Sequence, residues 1–102
     1  MNVQLSANDK KRLRRYFQDR PIHRAYVFGS YARKGATRRS DVDILVELDH
    51  SEPIGLKFFR FQLELESLLK KKVDLVSAEG LSRHLKPLID LEKVLIYEKG
   101  AD

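Results

Sequence analysis

The chain contains no cysteine, which rules out a disulfide framework and a thiolate metal site and removes any need for an oxidising compartment. Nowhere does it approach the roughly 18 consecutive apolar residues that suggest a membrane span. The opening MNVQLSANDKKRLRR also lacks the apolar stretch of a secretory signal. The expectation is a soluble, untargeted, cytoplasmic protein with no membrane partner. Internal repeats, linkers and low-complexity tracts are missing as well. With 102 residues, 42% of them hydrophobic, there is material for one domain (1–102) with one modest core and none for a separate substrate-binding domain.

What the chain does have is positive charge, unevenly placed. Residues 1–51 carry 11 Lys/Arg against 6 Asp/Glu, and residues 52–102 carry 9 against 9. Such asymmetry attracts polyanions: nucleic acid, nucleotide phosphates or an acidic protein. The three histidines His23, His50 and His84 lack metal-ligand spacing.

Local patterns alternate between helix and strand. Ser6 offers a capping hydroxyl with Asp9 three residues on, and Leu13, Tyr16 and Phe17 recur at helical spacing, so a helix is expected over about residues 8–19, ending before Pro21. Its other faces are basic, and a solvated face is the leading explanation for residues 10–15. Strands are expected over 24–28, 41–48, 72–76 and 94–97. One helical turn is expected over 31–34, broken by Gly35, and a helix over 55–71. A further helix over 81–89 is expected to be interrupted near Pro87. This is an α/β (α+β) pattern, a small sheet with helices packed on it. The link between the first two strands is too short for a standard parallel crossover, so the sheet should be mixed.

The 55–71 helix is apolar on two sides. Phe58, Phe61, Leu65, Leu68 and Leu69 share one face, while Leu56, Phe59 and Leu63 form a second stripe nearly opposite. One core cannot easily bury both, so the second stripe is either covered by the first helix or the C-terminal segment, or it docks a partner.

The chemistry concentrates in VFGSYARKGATRRSDVDILVEL. Asp41 and Asp43 lie two apart at the start of a strand and so project from one face, where two like charges repel. A hard divalent cation such as Mg²⁺ or Mn²⁺ relieves that repulsion, and Mg²⁺ prefers to complete its shell with water and substrate phosphates, which implies a nucleoside triphosphate. Upstream, Gly29 permits close backbone approach, and Ser30 opens a helical turn whose N–H groups can face phosphate. Arg33, Lys34, Arg38 and Arg39 surround the same loop, with Arg39, beside the acidic strand, preferred as a phosphate contact alongside Arg33. The stretch is not a P-loop, because Lys34 precedes Gly35 instead of following a glycine. Phosphoryl transfer with two metals usually wants another carboxylate. Asp74 is the candidate, a charge in the strand Lys-Val-Asp-Leu-Val where an unpaired acid is costly; Glu47 and Asp49 are poorer choices.

Gly29-Ser30, ten intervening residues and then Asp41-Val-Asp43 resembles the signature of the DNA polymerase beta nucleotidyltransferase superfamily, and Asp74 falls where its third carboxylate is expected. The chain is most similar to the minimal nucleotidyltransferases, the MntA-type antitoxins paired with HEPN-domain toxins, over essentially its full length. The resemblance implies a nucleotidyltransferase fold in which carboxylates hold two Mg²⁺ ions, a hydroxyl attacks the α-phosphorus of ATP and pyrophosphate leaves. It further implies transfer of AMP to a tyrosine of the cognate HEPN toxin, silencing its ribonuclease activity. By the same resemblance Gly29 and Ser30 contact the triphosphate, Asp41 and Asp43 bind both metals, and Asp74 binds the catalytic metal and aids deprotonation. The alternatives are a small-molecule nucleotidyltransferase, which usually needs an added domain, and a non-catalytic module that binds a toxin or nucleic acid through the basic half. Direct nucleic-acid contact is the lesser reading.

Overall fold

The computed structural model describes residues 3–100. Helix α1 spans Ala7–Gln18; the Ser6 hydroxyl accepts from the Asp9 N–H at 3.0 Å, as the capping pattern requires. Strand β1 (Ile22–Phe28) follows, then a short 3-10 turn over Gly29–Tyr31, strand β2 (Val42–Leu48), helix α2 (Lys57–Leu69), strand β3 (Val73–Ser77), helix α3 (Lys86–Glu92) and strand β4 (Val94–Glu98).

The four strands form one mixed sheet in the order β3-β2-β1-β4. β1 pairs antiparallel with β2 and with β4, whereas β2 and β3 run parallel. Parallel strands need a long crossover, and α2 supplies it. The expected α+β class with a mixed sheet is therefore the one observed.

Residues alternate along each strand, so the sheet has two distinct faces. One carries Ala25, Val27, Ile44, Val46, Val73 and Leu75, buried against Leu13, Tyr16 and Phe17 of α1 and Phe61, Leu65 and Leu69 of α2. Phe58 and Leu68 pack partly against this core. The opposite face carries Tyr26, Asp43, Leu45, Glu47 and Asp74. Both α1 and α2 spend their apolar faces on the first side; on the second side Leu45 is buried at 2% exposure, while Asp43 is half-buried and Asp74 exposed toward one end.

Two local expectations need correction, and one open alternative is decided. Pro87 does not interrupt a helix but lies in the first turn of α3, where its missing N–H would have had no acceptor anyway. The helix consequently starts later and runs on to Glu92. The turn after β1 lies over Gly29–Tyr31, and it is terminated by Lys34 in the left-handed region (φ 62°), with the Gly35 N–H reaching back to the Ser30 carbonyl. The second stripe of α2 is not covered by α1 or by the C-terminal segment: Leu56, Phe59 and Leu63 remain 88%, 73% and 61% exposed.

Candidate active site

The site forms where β1 ends and β2 and β3 begin. Phe28, Asp43 and Asp74 are register partners across these three strands. Neighbouring parallel strands lie about 4.8 Å apart and paired residues point to the same face, so Asp43 and Asp74 stand side by side. Asp41 precedes β2 by one residue and is exposed, two positions from Asp43. Pairing begins directly after it, where the Val42 N–H donates to the Lys72 carbonyl at 2.9 Å.

Gly29 explains itself by contact. Its φ is +71°, and a Cβ placed on it would lie 2.0 Å from Asp43 Oδ2. Only glycine lets the backbone turn this tightly against that carboxylate. The local reason is thus the approach of Asp43, whereas the Gly29 N–H is already given to Glu92 Oε1 at 2.9 Å. Ser30 follows, half-buried; in the first turn of a helical segment its N–H has no acceptor within the turn.

Electrostatics single out Asp43. Burial, reinforced by the charges of Asp74 and then Asp41, pushes its carboxyl up to about 6, with Arg33 opposing the rise. The Asp43 carboxylate thus stands among like charges with too little positive charge beside it. Among the described residues no group of three or more His, Cys, Asp or Glu side chains is placed to hold a metal ion. Mg²⁺ does not need one, since it is commonly held by one or two carboxylates together with water and phosphate oxygens. The hard oxygen donors and their mutual repulsion fit such an ion.

An open cleft of about 620 Å³ adjoins these acids, lined by Gly29, Arg33, Asp43 and Glu92 and rimmed by leucines of α3 and the residue before it. Arg33 reaches it and donates to Glu92 Oε2 at 2.8 Å. Arg39 does not line it: its side chain is exposed on the 37–40 turn, whose own bonds run between Thr37 and Ser40. Of the expected site residues the fold brings together Asp41, Asp43, Asp74, Gly29 and Arg33, keeps Ser30 in the adjacent turn, and leaves Arg39 outside the cleft.

The weaker acidic candidates are engaged elsewhere. Glu47 accepts from Arg24 at 2.8 Å and from the Tyr26 hydroxyl at 3.0 Å, and Asp49 accepts from the Ser51 N–H at 2.9 Å. Asp74 is exposed on β3, so hydration by solvent removes the cost expected of an unpaired acid in a strand. Glu92 was not anticipated from the sequence. Its one local signal is an acid at a helix C-terminus, where the dipole disfavours it.

The family described as "Nucleotidyltransferase domain" matches residues 10–97. A Thermococcus cleftensis protein named protein adenylyltransferase MntA is 41% identical over 87 residues, covering 85% of this chain and 84% of its own. Among solved structures, a complex described as a toxin-antitoxin with AMP-PNP superposes with a TM-score of 0.76 at 22% identity, over 89% of this chain and 74% of the other. An MNT antitoxin in complex with a tri-AMPylated HEPN toxin from Shewanella oneidensis superposes with a TM-score of 0.69 at 20% identity, over 90% and 71%. At those identities the two structures speak to fold alone.

Proposed function

The chain belongs to the nucleotidyltransferase domain family, and from that premise we propose that it is the antitoxin of a HEPN toxin, an ATP- and Mg²⁺-dependent protein adenylyltransferase that moves AMP onto a tyrosine of that toxin. The observation that carries this reading is the pairing of Asp43 with Asp74 in adjacent register, with Asp41 two residues away and Gly29 making room for the Asp43 carboxylate.

In this reading Asp41, Asp43 and Asp74 would hold Mg²⁺ together with the substrate phosphates, and the ion would supply positive charge against the triphosphate and ease ionisation of the attacking hydroxyl. The N–H groups of the Ser30 turn and the Arg33 guanidinium hold the phosphates to be released. Their grip orients the α-phosphorus toward the acids, so that the acceptor enters in line. The tyrosine oxygen bonds to the α-phosphorus while the bond to the bridging oxygen breaks. The hydroxyl proton passes to Asp74, AMP stays on the tyrosine, and pyrophosphate departs past Arg33.

A protein acceptor suits this cleft better than a small molecule. Its rim is apolar and open, with Leu88 and Leu91 exposed at 62% and 87%, as expected of a surface that another macromolecule covers. A relative named protein adenylyltransferase supports the same choice. The uncovered α2 stripe of Leu56, Phe59 and Leu63 is a second surface for the same partner.

The test mixes the protein with Mg²⁺, ATP labelled on the α-phosphate and the HEPN protein encoded beside it. Label should move to a tyrosine of the HEPN protein, and Asp41→Ala should abolish the transfer. Transfer that survives Asp41→Ala, or label on a small-molecule acceptor instead, overturns the assignment.

A further inference from the structure

The Glu92 carboxylate joins two parts of the site that are far apart in sequence. One oxygen accepts from the Gly29 N–H at 2.9 Å and the other from Arg33 Nη1 at 2.8 Å. Both oxygens are therefore committed, and both donors belong to the segment that the nucleotide reading assigns to the triphosphate. Arg33 beside it, aided by the Gly29 N–H, holds Glu92 below the ordinary carboxylate range, so it is ionised wherever the site works. The Arg33 side chain is 60% exposed and that of Glu92 24%, which makes Glu92 the fixed member of the pair and Arg33 the one in need of a hold.

Resting on the proposed nucleotide chemistry, we infer that Glu92 is a positioning residue: it fixes the Gly29 turn against Asp43 and aims the Arg33 guanidinium into the cleft, so that both meet the triphosphate ready-formed. The geometry allows this without blocking the ligand. A guanidinium has five N–H donors in a rigid fork, and engaging one edge with Glu92 leaves the remainder for phosphate. Without Glu92, Arg33 would sample many rotamers and part of the binding energy would go into ordering it. The Gly29 bond matters for a second reason. A turn with φ +71° and no room for a Cβ beside Asp43 needs an anchor outside itself, and Glu92 at the end of α3 supplies one. Seating the turn also sets where the Asp43 carboxylate can lie.

The experiment is calorimetric titration of the protein with Mg²⁺ and a nonhydrolysable ATP analogue, for wild type, Glu92→Gln, Arg33→Ala and the double variant. Glu92→Gln keeps the shape and one acceptor oxygen, and should weaken binding about tenfold, the low end of what loss of a partner that orients a ligand-holding group costs. In steady-state transfer it should raise KM for ATP with little change in kcat. The double variant should bind more weakly than Arg33→Ala by clearly less than the Glu92→Gln loss in wild type, because the share that Glu92 exerts through Arg33 is already gone and only the Gly29 anchor is left to lose. Hydrogen exchange supplies a readout free of nucleotide: the Gly29 amide should be protected in wild type and lose protection in Glu92→Ala. Binding unchanged in Glu92→Gln would show a merely structural role. Tighter binding would show that the carboxylate competes with phosphate, and additive losses would show that it acts apart from Arg33; each overturns the inference. A wild type that fails to bind the analogue at all sinks the nucleotide reading itself, and this inference with it.

Discussion

Removing a negative charge from Asp43 should stabilise the metal-free protein while destroying its function. Burial and the charges of Asp74 and Asp41 raise the Asp43 carboxyl from 3.8 to about 6. The folded state therefore binds the proton more tightly than the unfolded chain, and stability falls as pH rises from about 4 to 6. Below that window the group is protonated in both states and there is no penalty; above it the penalty is complete. The undamped figure, at about 1.4 kcal/mol per tenfold change in proton affinity, is ~3 kcal/mol. The carboxylate is only half-buried, so solvent screening cuts the realistic value to about 1 kcal/mol. In Asp43→Asn, thermal unfolding followed by circular dichroism in EDTA at pH 7.5 should show a melting temperature raised by about 4–8 °C, the shift that 1 kcal/mol produces in a domain of this size. At pH 4 the two proteins should melt together. Adding Mg²⁺ at pH 7.5 should raise the wild type and leave the variant unmoved, because only the wild type keeps the full set of ligands. A variant less stable than wild type in EDTA, or one whose advantage is the same at both pH values, would refute the electrostatic account of this site.

Other expected outcomes follow from single contacts. Gly29→Ala puts a methyl 2.0 Å from Asp43 Oδ2 in a left-handed backbone, so it should cost about 1–3 kcal/mol in urea unfolding and abolish analogue binding; wild-type binding would show that the turn has slack. Phe59→Asp alters a side chain that is 73% exposed, so stability should stay within about 0.5 kcal/mol. Complex formation with the HEPN partner, followed by size exclusion, should nonetheless fail, and an intact complex would free this stripe from a docking role. Lys70 closes α2 in the left-handed region at φ 55°, and Lys70→Gly should stabilise the fold by about 0.5–1 kcal/mol in the same unfolding assay.

Much of this site was legible in the chain because it is local. The two-residue spacing of Asp41 and Asp43 puts both on one face of any strand, and Gly29-Ser30 followed by Tyr31 and Ala32 suits a tight turn whatever surrounds it. The Ser6 cap and the Leu13, Tyr16, Phe17 stripe likewise marked α1 and its buried side without outside help. Other features depend on long-range pairing, which no window of sequence contains. Asp74 was recognisable as an anomalous acid in a strand, but only the parallel register of β2 and β3, closed by α2, sets it beside Asp43. Arg33 and Arg39 look alike on paper, and the path of the turn brings one to the cleft and not the other. The fate of the second α2 stripe depended on whether another element reached over it, and none of the described ones does. Glu92 reads as an ordinary helix-end acid until β4 pairs with β1 and draws the end of α3 against the Gly29 turn, 63 residues away. The sequence determined the chemistry of each short segment because neighbouring residues fix local geometry. The tertiary structure alone decided which segments meet, because that depends on strand order and on which faces the core consumes.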